Sequence, residues 1–222
     1  MRSDLKDSLP RRGIFLHKNT RLEYEPSLAT SWKTLDDTTW ELTLRQGVTF
    51  HNGDPFTADD VKFSFERVLD PATKSPQYGN IRAIKAVQII DAHTVRLLTE
   101  KPFPLLLERL VFCPIIPHKY FVQVGAQAFA SSAPVGTGPY RFVAWKRDQF
   151  LRLERFEGHW RGPAAVKHLI LRVIPETSTQ IAELKTGGVD LIRNLAPDLI
   201  PDLKAHPNTY VSSAPVLRTH YV

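Results

Sequence analysis

Short runs in which apolar and polar residues alternate are the main pattern of this chain. The clearest run covers residues 40–44, where every second residue is apolar, and it predicts a strand with one apolar face. Two later runs joined by Asp91-Ala92 predict a hairpin. Extended segments are predicted at 48–50, 84–90, 93–99, 140–146, 151–156, 168–174 and 189–193.

A helical spacing of apolar residues interrupts these strands. From Val61 onward, apolar residues follow at i, i+4, i+7 and i+8, which is typical of an amphipathic helix that Pro71 would end. Thr57 is predicted to cap its start, with Asp60 completing a capping box. Asp59 and Asp60 point about 100° apart on such a helix, which favours helix-start electrostatics over an acid–base pair. Further helices are predicted at 104–110, 117–124 and 178–186.

The interspersed strands and helices indicate a mixed α/β or α+β class. The chain has 222 residues, of which 42% are hydrophobic, enough to build one large domain or two small ones. No apolar run approaches the length of a membrane span, and charges interrupt the first fifteen residues where a signal peptide would be apolar. The sequence therefore predicts neither a membrane span nor an export signal of its own.

The charge distribution and the cysteine content argue against two classes of protein, nucleic-acid-binding proteins and disulfide-stabilised proteins. The net charge is +6, and much of the excess lies between Arg141 and Arg172, where eight basic residues face three acidic ones. Many of these alternate with apolar residues at strand spacing and no nucleic-acid motif accompanies them, so nucleic-acid binding is not expected. The single cysteine, Cys113, excludes an intrachain disulfide framework and favours a small buried residue.

No catalytic or metal motif is present in the sequence. The eight histidines are scattered, and no two share a helix face at ligand spacing, so no metal, cofactor or enzymatic activity is predicted. In VGTGPYRF (135–142), Gly136-Thr137-Gly138 supplies only two glycines of a nucleotide-binding pattern. Pro139 then removes a donor that a phosphate cradle would need. We interpret this stretch as a sharp bend that the two glycines allow and the proline fixes.

Several longer motifs occur in one order and carry a family resemblance. They are LATSWK, WELTLRQGVTFHNGDPFTADDVKFSFERV, VGTGPYRFVAW, ERFEGHWRGPAAV, LILRVIPETSTQIAELKTGGVDLI and APVLRTHYV. The set resembles the extracytoplasmic solute-binding proteins of the peptide and nickel type, which feed ABC importers, and FHNGDPFTADDV is its most distinctive part. The resemblance covers about residues 22–222. It implies a periplasmic-binding-protein-like fold of type II and a periplasmic or extracytoplasmic location.

The resemblance also implies a domain division. It places a lead-in at 1–21, for which disorder is an option, a small α/β subdomain at 22–134, and part of the large first lobe at 135–222. Members of the family are considerably longer. The expectation is therefore an N-terminal-half fragment that lacks the signal peptide and is cut at the crossover to a second lobe.

The implied function is capture of a solute by closure of two lobes, followed by presentation to a membrane permease. An oligopeptide or dipeptide is the favoured solute, while nickel complexes, sugars and other solutes stay open. The alternative is a truncated, non-transporting remnant or an interaction domain that pairs through open sheet edges. Residues proposed to face the solute, with loop packing or strand pairing as the other interpretation of each, are Arg109, Phe112, Cys113, Gly136, Thr137, Gly138, Arg218 and Tyr221.

Overall fold

The computed structural model describes residues 15–19 and 21–213, and the chain divides into two compact units, of which the first ends at Leu171 and the second begins at Arg172. The strands are β1 (Leu16–Lys18), β2 (Tyr24–Pro26), β3 (Ala29–Asp36), β4 (Thr39–Leu44), β5 (Ile84–Asp91), β6 (Thr94–Thr99), β7 (Tyr140–Lys146), β8 (Phe150–Arg155) and β9 (His168–Arg172). The helices are α1 (Ala58–Leu69), α2 (Tyr78–Ile81), α3 (Leu106–Leu110), α4 (His118–Ser131), α5 (Thr177–Thr186) and α6 (Ile200–Ala205). The predicted mixture of strands and helices is confirmed.

A four-stranded antiparallel sheet forms the scaffold of the first unit, with the strand order β3-β4-β6-β5. Alternation places Leu42, Leu44, Val95 and Leu97 on one face, where all four are buried. The strand predicted at 40–44 and the hairpin predicted around Asp91-Ala92 are both confirmed. One face of the sheet therefore packs into the hydrophobic core.

Helix α1 covers that apolar face. Val61 and Phe65 are almost completely buried, and the Phe65 ring meets the Phe15 ring edge to face with centroids 5.5 Å apart. Phe50 and Phe56, from the segment between the sheet and the helix, close the end of the same core. The core thus reaches the turn at residues 51–55, which belongs to the most distinctive motif of the sequence.

A second, three-stranded sheet has the order β7-β8-β9. β7 and β8 form an antiparallel hairpin whose turn contains Asp148 at a positive φ of 58°. Tyr140 anchors the start of β7, because its hydroxyl donates to the carbonyl oxygen of Val166 at 3.0 Å. Several large apolar side chains of this sheet are exposed, among them Trp145 at 52% and Ile170 at 51%.

Several segments differ from the sequence prediction. The helix predicted at 117–124 is confirmed up to a break at Gly125, whose backbone is not helical (φ 80°, ψ 160°), and a second helical stretch then continues to Ser131. β9 ends at Arg172 rather than 174. The segment predicted as extended at 48–50 makes one isolated bridge, Thr49 to Pro55. Residues 189–193 form no strand in the described structure, so the prediction there is wrong.

The second unit is built around α5 and α6. Gly187 ends α5 in the left-handed conformation at φ 80°, as the predicted Gly187-Gly188 stop requires. Arg172 donates to Glu183 at 3.0 Å, and Leu203 of α6 is buried. Across the described ranges, every helix falls short of the length and apolarity needed to cross a bilayer.

One buried carboxylate, Asp60, holds two helix starts in the first unit. Its Oδ2 accepts from the Thr57 backbone N–H at 2.9 Å within the predicted capping box at the start of α1. Its Oδ1 accepts from the His118 N–H at 2.8 Å, where α4 begins. Burial raises the pKa of Asp60, and the donors from His118 and Thr57 act in the opposite direction. Asp60 therefore positions α4 against α1.

Replacing Asp60 with alanine should remove both caps and leave the half-buried His118 N–H at the start of α4 without its acceptor. We expect Asp60→Ala to lower the free energy of unfolding by about 2–4 kcal/mol, measured by urea denaturation. Asp59→Ala, at the exposed neighbouring position on the same helix turn, is the matched control and should change stability by about 0.5 kcal/mol or less. Equal losses in both variants would contradict the role of Asp60.

Candidate functional site

The two turns that the sequence singles out meet in the first unit. The His51 backbone N–H donates to the Gly136 carbonyl oxygen at 2.9 Å. The Gly136 N–H donates to His51 Nδ1 at 3.3 Å, and His51 Nε2 lies 2.8 Å from the Gly138 carbonyl oxygen. The turn at 51–55 and the turn at 136–138 are therefore joined by three hydrogen bonds through one histidine.

The surroundings of the His51 ring favour its neutral form. The ring packs edge to face on Phe156, with centroids 5.1 Å apart. Burial is the main cause that lowers the pKa of His51, and the hydrogen bond to Gly138 acts in the opposite direction. The positive charges of Arg141 and His159 lower the pKa further. A neutral imidazole with one donor and one acceptor matches the two backbone groups it contacts.

These contacts argue against a phosphate-binding loop at 136–138. The Gly136 N–H, which a phosphate loop would aim at its ligand, is used by His51. Neither Gly136 nor Gly138 has a positive φ, and a Cβ at Gly136 would lie 3.9 Å from His51 Cε1, an ordinary contact. The expectation that glycine is needed to allow the bend is wrong for Gly136. The bonds to His51 hold the bend, and the predicted role of Pro139 in fixing it stays a prediction.

Thr137, at the centre of the same turn, is completely buried. Its Oγ1 has no hydrogen-bond partner among the described residues. A buried hydroxyl without a partner lowers stability, because it has lost its bonds to water and gained none. The turn therefore contains one polar atom whose hydrogen-bonding capacity is unused in this conformation.

The three residues proposed at 109–113 lie together at the end of α3. Arg109 and Phe112 are three positions apart, and the Phe112 side chain is 53% exposed beside the half-buried Arg109. Cys113 turns inward into the core, and its thiol donates to the Arg109 carbonyl oxygen at 3.6 Å. Burial raises the pKa of Cys113 to about 12. Arg109 and Phe112 are thus accessible, while Cys113 packs as a small apolar side chain; solute contact from any of the three stays a prediction.

The carboxylate of Glu108, next to Arg109 in the sequence, is hydrogen-bonded by other side chains. Glu108 accepts from Lys18 and from the Tyr24 hydroxyl, the latter at 3.0 Å, and the hydrogen bond from Lys18 is the main reason that the pKa of Glu108 is lowered. No ion pair of Arg109 occurs within the described part of the chain. The positive charge of Arg109 also contributes to the lowered pKa of Glu108, and contact of Arg109 with a solute stays a prediction.

The remaining proposed site residues lie in the turn at 136–138 and at the end of the chain. Gly136 and Gly138 bond to His51, with the buried Thr137 between them. Arg218 and Tyr221, with the neighbouring His220, lie outside the described residues. Within the described ranges, no group of three His, Cys, Asp or Glu side chains could hold a metal ion.

Two groups of this region were not predicted from the sequence. His51 was placed in a turn, but its ring contacts a segment 85 residues away, which no local pattern reveals. Trp160 packs against the core with the guanidinium groups of Arg45 and Arg161 at 4.2 and 4.5 Å from its ring. The motif ERFEGHWRG contains Trp160 and Arg161, and its part in the family resemblance was the signal that could have pointed to this contact.

Thr137→Val keeps the shape of the side chain and removes the unused hydroxyl. We expect it to raise the free energy of unfolding by about 1 kcal/mol, measured by urea denaturation. Thr99→Val is the matched control, because the Thr99 hydroxyl is also buried but lies 2.8 Å from the Lys101 carbonyl oxygen. Thr99→Val should lower stability. A loss of stability in Thr137→Val would show that its hydroxyl has a partner.

Comparison with known proteins gives relatives over nearly the whole chain. Heme-binding protein A of Haemophilus influenzae is 31% identical, over 92% of this chain and 42% of that protein. The structure of NikZ from Campylobacter jejuni with Ni(L-His) matches with a TM-score of 0.80 at 31% identity, over 89% of this chain and 40% of NikZ. DppA from Helicobacter pylori with the peptide STSA matches with a TM-score of 0.79 at 28% identity, over 89% and 43%. The chain spans about two fifths of each.

These neighbours confirm the periplasmic-binding-protein-like fold of type II that the motifs implied. Residues 23–222 match the family model described as "Bacterial extracellular solute-binding proteins, family 5 Middle". That range includes the turn at 51–55, the end of α3 and the turn at 136–138. The chain belongs to the bacterial extracellular solute-binding proteins of family 5.

Proposed function

We propose that this chain forms part of an extracytoplasmic receptor that captures a dipeptide or oligopeptide for uptake by an ABC importer. The observation that carries the proposal is the family match over residues 23–222. The match to a peptide-bound DppA at 28% identity supports a peptide as the solute. Relatives that bind haem or Ni(L-His) make those two solutes the competing choices.

The proposed location and partner follow from the family. A bacterial extracellular solute-binding protein meets its solute outside the cytoplasm, in the periplasm or at the outer face of the cell membrane. The membrane permease of the importer would then receive the loaded receptor. Closure of two lobes over the solute is the proposed motion, with a small subdomain at 22–134 and the first lobe continuing from 135.

Arg109 and Phe112 are the residues that we propose to meet the peptide. A guanidinium binds a carboxylate through two parallel hydrogen bonds, and the exposed Phe112 ring offers an apolar surface three residues away. The acid next to Arg109 is hydrogen-bonded by Lys18 and Tyr24, and the charge of Arg109 adds to the lowering of its pKa. This pair would recognise a peptide carboxylate beside an apolar side chain.

The test is a calorimetric titration of the longest reading frame that contains this chain. Three solutes are compared: a mixture of dipeptides and short oligopeptides, Ni(L-His) and haem. We expect binding of the peptides, and a loss of about 10- to 100-fold in affinity for Arg109→Gln, since a charge-assisted hydrogen bond contributes about 1.5–3 kcal/mol. Arg147→Gln, in the exposed hairpin turn of the second sheet, is the control and should bind peptide as the parent does.

The possible results separate the parts of the proposal. Binding of Ni(L-His) or haem alone would overturn the peptide assignment but keep a solute receptor. Unchanged peptide affinity in Arg109→Gln would remove Arg109 from the site. Binding of none of the three solutes would overturn the peptide assignment and direct the search to other small solutes.

A second candidate function is an interaction domain that pairs through its second sheet. The observation in its favour is the exposure of Val143, Trp145 and Ile170 on the sheet β7-β8-β9, since exposed apolar surface on a folded protein marks a contact site. In the described part of the chain, β7 and β9 are also the open edges of that sheet.

Sedimentation velocity over a range of concentrations tests this second function. We expect concentration-dependent association of the 222-residue chain if the sheet pairs with a second copy, and a weaker association in Trp145→Lys. Arg147→Gln, two positions further along in the exposed turn, should associate as the parent does. A monomer at every concentration would exclude pairing between copies.

A further inference from the structure

His51 bonds to the turn at 136–138 through both of its ring nitrogens. A backbone N–H can only donate and a carbonyl oxygen can only accept. The Gly136 N–H at 3.3 Å therefore requires a lone pair on Nδ1, and the Gly138 oxygen at 2.8 Å requires a hydrogen on Nε2. A single tautomer of the neutral ring satisfies both contacts.

A second proton on this ring has no acceptor at the place where it must bind. On Nδ1 it would point at the Gly136 N–H, so that two donors would face each other and that hydrogen bond would be lost. The bond from Nε2 to Gly138 would survive, as would the backbone bond from His51 N to the Gly136 oxygen. Protonation would thus break one of the three bonds that join the two turns.

The charged groups around the ring do not compensate for that loss. Arg141 of β7 and His159 of the loop after β8 both carry or can take a positive charge. The acid of the same turn as His51, Asp54, accepts from the Asn52 side chain at 2.7 Å. Among the described residues, the 136–138 turn itself contributes backbone groups and the Thr137 hydroxyl, so an imidazolium would find no carboxylate there.

We propose that His51 is a proton-operated latch between the turn at 51–55 and the turn at 136–138. The proton comes from solvent, binds Nδ1 and releases the Gly136 N–H, which loosens the 136–138 turn from its neighbour. Thr137 adds to this, because its buried hydroxyl gains access to water when the turn moves. The latch is closed with a neutral ring and opens when the ring is charged.

The pH at which the latch opens follows from the direction of the pKa shift. Burial lowers the pKa of His51 below the ordinary histidine value of about 6.5. The contribution of the neutral ring to stability is therefore complete above about pH 6.5 and decreases as the pH falls towards the lowered pKa of the folded state. The latch is therefore closed above about pH 6.5 and opens at a pH below that value.

The test uses nuclear magnetic resonance on the 222-residue chain between pH 8 and pH 4. The ¹⁵N shifts of the His51 ring report which nitrogen carries hydrogen, and amide exchange of Gly136 reports whether its hydrogen bond persists. We expect the Nε2–H tautomer at neutral pH. In mild acid, the protection of the Gly136 amide should fall by about tenfold for each pH unit while the closed ring stays neutral.

Three variants test whether His51 is the group whose protonation changes the protection of the Gly136 amide. His51→Asn offers a carbonyl oxygen that does not titrate, and it should lose the pH dependence of Gly136 protection. Arg141→Gln removes a positive neighbour and should move the opening to higher pH. His168→Gln, at an exposed position on β9, is the control and should behave as the parent does.

Three results would overturn the latch: a hydrogen on Nδ1 at neutral pH, Gly136 protection that does not change with pH, or a pH step that persists in His51→Asn. If His51→Asn does not fold, the ring shifts of the parent and the displaced step in Arg141→Gln still decide the question.

Discussion

A carboxylate shared by two helix starts is the interaction on which the first unit depends. Burying a charge is costly unless hydrogen bonds replace its water, and Asp60 receives those bonds from Thr57 and from His118. One helix turn later, the Ser64 hydroxyl accepts from the Ile116 N–H at 3.0 Å. The segment that leads from α3 into α4 is therefore fixed to α1 at two points, and the position of Arg109 and Phe112 follows from it.

The buried polar groups of the first unit are not equally well bonded. Asp60 and Ser64 both have partners, so α1 and the start of α4 form a firm layer. At the other junction, the Thr137 hydroxyl has no partner among the described residues, and the bond from the Gly136 N–H to His51 Nδ1 requires a lone pair on that nitrogen. The turn at 136–138 is thus the less secure of the two connections in this unit.

Local patterns in the sequence predicted the elements that depend on neighbouring residues. The capping box of Thr57 and Asp60 and the hairpin at Asp91 involve residues two or three positions apart, so their chemistry can be read in a short window. The His118 donor to Asp60 comes from 58 residues away, and the bond from Gly136 to His51 joins residues 85 positions apart. Such contacts arise from packing, which no window reveals.

The position of the single cysteine has a practical consequence. Cys113 lies in the core with its thiol held protonated, so a reagent that needs a thiolate reaches it only when the core opens. Its neighbours in the sequence belong to the segment that α1 fixes through Ser64 and Asp60. The rate at which a thiol reagent labels Cys113 would therefore report how often α3 separates from α1, without any engineered probe.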